Sequence, residues 1–77
     1  MKFKFSIEAG ALNRREVRKA LNNSKDKLEY AYPDATITVR EDRDFLESTF
    51  YVQGVNLPDS AEHVIKEWAN KIKRNIN

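Results

Sequence analysis

The sequence predicts a two-layer α+β sandwich with the element order β-α-β-β-α. Three observations indicate this class: strands whose apolar residues alternate, two segments with apolar residues at helical spacing, and a hairpin-length connection between strands two and three. Each strand has one apolar face, so we expect both helices on one face of a three-stranded mixed sheet. A right-handed crossover would make strands one and two parallel, and we favour the order 1-3-2 with two antiparallel helices. Residues 1–77 are predicted to form a single domain.

The first strand and the first helix have clear signals. Strand one is predicted over Lys2–Glu8, where apolar and polar residues alternate. Helix one is predicted from about Asn13, which can cap it, with Leu12 able to pack on Val17. Its apolar stripe has steps of four and three residues and comprises Val17, Leu21, Ser24, Leu28 and Ala31. Because a proline disfavours helical geometry at the residue before it, Pro33 should end the helix by about Ala31.

The second half of the chain predicts a hairpin and a second helix. Strand two is assigned to Ala35–Arg40 on its β-branched residues, and strand three to about Leu46–Gly54. In strand three, the residues expected to face the core are Leu46, Phe50 and Val52. Helix two is predicted to begin between Leu57 and Ser60. Its expected core stripe comprises Ala61, Val64, Ile65, Trp68, Ile72 and Ile76.

Composition limits the classes of function. Apolar residues at 40% and charged residues at 34% are typical of a soluble globular domain. The sequence contains no cysteine, which excludes disulfides and thiolate metal sites. Its first residues alternate in polarity without a long apolar run, so we expect neither a signal peptide nor a membrane span, and a cytoplasmic location.

Catalysis is not indicated by any motif. His63 is the only histidine, and Ser60 near it has no orienting acid or oxyanion loop in the pattern. Gly10 and Gly54 are isolated, so no phosphate-binding loop is predicted. The acidic segment between strands two and three lacks the glycine and ligand spacing of a calcium loop. We therefore expect no enzyme activity, cofactor, metal or small-molecule substrate.

Charge is distributed in blocks along the chain. Residues 1–27 hold eight Lys and Arg against three Asp and Glu, residues 28–62 hold two against eight, and residues 63–77 hold four against one. The acidic block supplies a candidate protein-binding set, here called the acidic set: Glu41, Asp42, Asp44 and Glu47. The basic blocks supply a candidate nucleic-acid-binding set, the helical cations: Arg14, Arg15, Arg18, Lys19, Lys71, Lys73 and Arg74. Tyr51, on the open face of the predicted sheet, is a further candidate for stacking a base. A solvated hairpin turn and a lysine-rich surface explain the same residues without any partner.

The segment YPDATITVR, residues 32–40, resembles the aromatic-Pro-Asp-Ala-x-Val-x-Val-Arg segment of the DinI-like family. The later segments FYVQG (residues 50–54) and VIKEW (residues 64–68) are similar to that family's last strand and last helix. The resemblance implies a small protein of order β-α-β-β-α that binds the recombinase RecA and modulates its filament on single-stranded DNA. The family's last helix is acidic, whereas helix two here ends in Lys71, Lys73 and Arg74. The acidic-helix mechanism is therefore not expected to carry over.

Two functional hypotheses follow. The first is a small non-catalytic interaction or regulatory module, with a recombinase as one possible protein partner and the acidic set as its contact. The second is direct nucleic-acid binding through the helical cations. The edge strands of so small a sheet also leave homodimerisation open.

Overall fold

The computed structural model describes residues 1–76 of the chain, and the side chains of residues 1–74. Three strands and two helices follow one another in the predicted order. Their bounds are Phe3–Gly10 (β1), Arg14–Ala31 (α1), Thr36–Arg43 (β2), Glu47–Val55 (β3) and Glu62–Ile76 (α2). A 3-10 turn, Asp59–Ala61, leads directly into α2. The order β-α-β-β-α predicted from the sequence is confirmed.

The strand order is β1-β3-β2, as predicted. The central strand β3 is antiparallel to both neighbours, so the outer strands β1 and β2 are parallel to each other without touching. Every hydrogen-bonded strand pair is thus antiparallel. The predicted parallel relation holds only between the two outer strands, which do not pair with each other. Since α1 follows β1 and α2 follows β3, the two helices run in opposite directions.

The core lies between the helices and one face of the sheet. Its buried strand residues alternate along each strand, as a sheet with one covered face requires. The core comprises Ile7, Ala9, Val17, Leu21, Leu28, Ala35, Ile37, Phe50, Val52, Leu57, Ala61, Ile65, Trp68 and Ile72. Phe50, at the centre of β3, and Leu21, on α1, are fully buried. Burial of such a side chain contributes about 1.5–3 kcal/mol.

An aromatic cluster closes the end of the core next to the start of β1. The ring of Phe5 meets Trp68 edge to face, with 5.4 Å between centroids, and Phe3 does so at 6.3 Å. The rings of Phe3 and Phe5 are stacked at 6.1 Å. Phe3 pairs with Gly54 across the two strands, and its ring covers that glycine.

Helix α1 ends at Ala31, where the sequence predicted. The Tyr32 N–H still donates to the Leu28 carbonyl at 2.8 Å, and Pro33 then breaks the helical path. The helix begins at Arg14 with Asn13 at the N-cap position, as predicted, but Asn13 makes no side-chain capping bond. Asn13 has φ −106° and ψ −15°, which is helical rather than the extended geometry of a capping residue. Consequently the predicted packing of Leu12 on Val17 is wrong, and Leu12 is exposed.

Several other expectations about the core are wrong at its margins. Leu46 is exposed because it lies in the hairpin loop and not in β3. Val64 and Ala31 are exposed at the borders of their helical stripes, and Ser24 is half-buried. The predicted core position of Ile76 lies outside the described side chains.

Strand β2 is longer than predicted. It continues through Arg43, so the connection to β3 is only Asp44–Leu46. The three added positions pair with β3, Glu41 with Phe50, Asp42 with Thr49 and Arg43 with Ser48. Much of the predicted acidic turn is therefore strand, and alternation directs Glu41 toward the helices.

Candidate functional site

The hairpin end of the molecule presents exposed apolar side chains. Phe45 is 88% exposed and Leu46 72% exposed in the β2–β3 loop, and Leu12 is 95% exposed in the loop between β1 and α1. The two loops are joined by a hydrogen bond from the Ala11 N–H to the Leu46 carbonyl, 3.0 Å long. We call Leu12, Phe45 and Leu46 the hairpin tip. Grouped exposed apolar side chains on a small protein commonly mark an interaction surface.

Helix α1 and the neighbouring loop hold the hairpin tip in place. Arg14, in the first turn of α1, donates to the Asp44 carbonyl at 3.0 Å. The loop itself is closed by the Asp44 N–H, which donates to the Glu47 carbonyl at 2.7 Å, and by the Phe45 N–H on the Asp44 carboxylate. Phe45 and Leu46 are therefore presented on a loop with fixed backbone contacts on both sides.

A second connection between α1 and the hairpin lies at the border of the core. Arg18 donates through Nε to Glu41 Oε1 at 2.7 Å and through Nη2 to Oε2 at 3.0 Å. The Ser48 hydroxyl, which is fully buried, donates to the same Oε2 at 2.7 Å. The hydrogen bonds from Arg18 and then from Ser48 lower the pKa of Glu41 from 4.5 to about 2. Glu41 in turn raises the pKa of Arg18.

The acidic set is divided by this geometry. Glu41 faces the helices and is occupied by Arg18 and Ser48. The other three, Asp42, Asp44 and Glu47, are exposed around the hairpin tip. The Asp42 carboxylate is 3.7 Å from the Arg40 guanidinium, and both side chains are more than half exposed. The hairpin tip is thus an apolar surface bordered by three solvated carboxylates.

The helical cations are divided as well. Arg14 and Arg18 donate to the hairpin, whereas Arg15 and Lys19 are exposed on α1. The remaining three, Lys71, Lys73 and Arg74, are exposed in the last turns of α2. Gly10, just before α1, pairs with Glu47, so α1 begins beside the hairpin. Helix α2 follows the far end of β3 and runs back toward the hairpin. The cations at the start of α1 and those at the end of α2 therefore both lie at the hairpin end of the molecule.

Tyr51 lies apart from the helical cations. It belongs to the face of the sheet that the helices leave uncovered, with Arg40 beside it on β2 and Ser6 on β1. The structure therefore does not unite all the predicted nucleic-acid-binding residues in one surface.

Among the described residues, no three His, Asp or Glu side chains are placed to hold a metal ion together. Neither helix, over its described length, combines the length and apolarity needed to cross a bilayer.

Comparisons of the chain with protein-family models, curated proteins and solved structures found no match. The resemblance to DinI-like proteins thus stays a prediction. The functional interpretation of the hairpin tip rests on its geometry alone.

Sequence reasoning missed the three residues of the hairpin tip. The alternation of strand three predicts Leu46 in the core, and the start of helix one predicts packing of Leu12 on Val17. Phe45 received no role. One available signal was its position between Asp44 and Leu46 at the centre of a short hairpin connection, where an aromatic residue has no core to reach.

Proposed function

We propose that this chain is a small non-catalytic protein-interaction module that regulates a larger assembly by binding it through the hairpin tip. The single observation that carries this proposal is the cluster of exposed apolar side chains on hydrogen-bonded loops. Burial of Phe45 and its neighbours against a partner would remove apolar surface from water. Because the loop is already ordered by Arg14 and the backbone, little conformational entropy would be lost on binding.

The carboxylates around the hairpin tip define the chemistry of the partner. Asp42, Asp44 and Glu47 are exposed, so a complementary surface would have an apolar pocket bordered by Lys and Arg. The apolar contact would supply most of the affinity, and the charges would mainly accelerate association. A recombinase filament on DNA is the first partner to test, because of the resemblance to DinI-like proteins. Such a regulator would act in the cytoplasm, the location expected from the sequence.

The alternative of nucleic-acid binding through the helical cations has less support. Two of the seven cations, Arg14 and Arg18, already donate to the hairpin. Arg18 could contact a phosphate only by leaving a carboxylate with which it makes two hydrogen bonds.

The test is a titration of the labelled chain with RecA filaments assembled on single-stranded DNA, followed by fluorescence anisotropy. We expect Phe45→Ser to weaken binding by at least about tenfold, because truncating a buried aromatic contact typically costs more than 1 kcal/mol. We expect the double substitution Asp42→Asn and Asp44→Asn to lower affinity mainly at low salt, where exposed charges are screened least.

Tyr30→Ser is the matched control. Tyr30 is 89% exposed, like Phe45, but lies in the last turn of α1, roughly 24 Å along the helix from Arg14. This variant should bind as the unsubstituted chain does. Absence of binding by the unsubstituted chain would exclude the filament as partner, and equal loss with Phe45→Ser and Tyr30→Ser would exclude the hairpin tip as the surface.

A further inference from the structure

The uncovered face of the sheet carries an aromatic ring between cations. Alternate residues of each strand point to this face, and the register aligns them in rows across the sheet. One row contains Ser6, Tyr51 and Arg40, and the next row away from the hairpin contains Lys4, Gln53 and Thr38. All six side chains are exposed.

Arg40 and Tyr51 form a preassembled pair. The guanidinium carbon of Arg40 lies 4.7 Å from the centroid of the Tyr51 ring, within cation–π range. Arg40 also approaches Asp42 at 3.7 Å, but this contact is long and solvent-exposed, so it leaves the guanidinium available. Lys4 is on β1, on the opposite side of β3, so it flanks the ring from the other direction.

The rows form a shallow depression with a volume of about 510 Å³. Its polar lining includes Lys4, Ser6, Thr38, Arg40, Tyr51 and Gln53. This volume is in the range of small-ligand sites, and the hydroxyl and amide groups can both donate and accept hydrogen bonds. The face therefore combines a planar stacking surface, cations and hydrogen-bonding groups.

We propose that this face binds single-stranded nucleic acid, with one base stacked at Tyr51 and the adjoining phosphates directed to Lys4 and Arg40. The two cations stand on strands separated by β3, about 10 Å apart by strand spacing. A base can reach the ring only when it is unstacked from its own helix, which selects a single strand over a duplex. Glu8 and Asp42, which pair with the same residue of β3, Thr49, limit the site on its hairpin side because they repel phosphate.

Affinity for a labelled oligothymidylate of about ten nucleotides, measured at low and moderate salt, tests this site. With two phosphates engaged, we expect the logarithm of the association constant to fall with the logarithm of salt concentration with a slope of about −1.4. Amide shift changes in an NMR titration should centre on Lys4, Thr38, Tyr51 and Gln53. A duplex of the same length and thymidine monophosphate should both bind more weakly.

Five variants separate this face from other surfaces. Tyr51→Ala should weaken binding by about tenfold, whereas Tyr51→Phe retains a stacking ring and should bind as the unsubstituted chain does. Tyr30→Ala removes an exposed tyrosine from α1 and should have no effect. Lys4→Gln should reduce the magnitude of the salt slope by about 0.7, and Lys19→Gln, which removes the same charge from α1, should leave it unchanged.

Four results would overturn the assignment. These are absence of binding at low salt, equal affinity for the duplex, equal affinity for the mononucleotide, and shifts centred on Arg15, Lys19 and Lys71–Arg74 with Tyr51→Ala unaffected. None of the variants alters the hairpin tip, so failure here is distinguishable from failure of the protein-interaction function.

Discussion

Glu41, on β2 at the border of the core, connects helix α1 to the hairpin. Its carboxylate accepts two hydrogen bonds from Arg18 and one from the buried Ser48. Loss of the carboxylate would leave the buried Ser48 hydroxyl without its acceptor, which is costly, whereas the partly exposed Arg18 guanidinium would lose its two hydrogen bonds to the protein but can bind water. Glu41 therefore stabilises the fold even though its neighbours Asp42 and Asp44 are solvated.

The low pKa of Glu41 predicts a defined dependence of stability on pH. Because this pKa is about 2 in the folded chain, below the ordinary 4.5, the stabilisation is complete above about pH 4.5 and is lost as pH falls toward 2. Glu29 contributes in the same direction, since hydrogen bonds from Lys25 and the Ile37 N–H lower its pKa. We expect Glu41→Gln to lower the free energy of unfolding by about 1–3 kcal/mol at pH 7.

Urea unfolding at several pH values measures this effect. The difference between Glu41→Gln and the unsubstituted chain should shrink as the pH falls from about 4.5 toward 2. Glu47→Gln removes the same charge from an exposed position in the same hairpin and should change the free energy of unfolding by less than about 0.5 kcal/mol. A constant difference across this pH range would show that Glu41 acts by packing and not by charge.

At the scale of elements, β1 and β3 pack closely at Gly54, which has no side chain. Gly54 faces the core in β3, and an added Cβ would overlap the Phe3 ring. Any larger residue must displace Phe3, which packs on Trp68 and Phe5. Gly10, at the end of β1, has no atom within 4 Å of an added Cβ and does not have a positive φ.

These two glycines give a matched pair of substitutions. We expect Gly54→Ala to lower the free energy of unfolding by about 1–3 kcal/mol, the usual cost of overpacking. Gly10→Ala should be neutral or slightly stabilising, because alanine restricts the unfolded chain. Thermal unfolding followed by circular dichroism, with Trp68 fluorescence as a probe of the aromatic cluster, compares them. Similar melting temperatures for the two variants would contradict the close packing of Phe3 on Gly54.

The elements themselves were predictable because local patterns specify them. Alternation fixed the faces of β1 and β2, helical spacing placed Leu21 and Trp68 in the core, and Pro33 ended α1. Continuing the alternation of β2 past Arg40 would also have directed Glu41 inward, toward the face shared by Ser48. The exposure of Leu12 and Leu46 was not predictable, since it depends on how two loops meet across the sheet, whereas the position of Phe45 in a short hairpin connection did indicate exposure.

At the scale of the whole molecule, charges that are separated along the chain become neighbours. The cations that begin α1 oppose the helix dipole, which is unfavourable at an isolated helix start. Arg14 and Arg18 instead donate to the hairpin, so the acidic and basic blocks partly neutralise each other at one end of the molecule. The acidic and basic blocks lie on separate elements, and only the topology brings those elements together.

The two proposed surfaces are far enough apart to act independently. Tyr51 and Glu47 are four residues apart in β3, so the stacking ring lies roughly 13 Å from the start of the hairpin loop. Substitutions more than about 7–10 Å apart with no shared partners are usually additive. We therefore expect Phe45→Ser to leave oligothymidylate affinity within about twofold, and Tyr51→Ala to leave filament affinity within about twofold.

Because the filament contains DNA of its own, each variant is measured both with the filament and with oligothymidylate alone. Oligothymidylate is also added to preformed complexes of the chain with the filament. Independent surfaces would allow one chain to hold its protein partner and a free single strand together, so the chain should increase the amount of labelled oligonucleotide that co-sediments with the filament above the amount seen with the filament alone. Tyr51→Ala should remove that increase without releasing the chain from the filament. If Phe45→Ser weakened both interactions equally, both ligands would have to share one surface at the hairpin end, and the separation between the sheet face and the hairpin tip would be wrong.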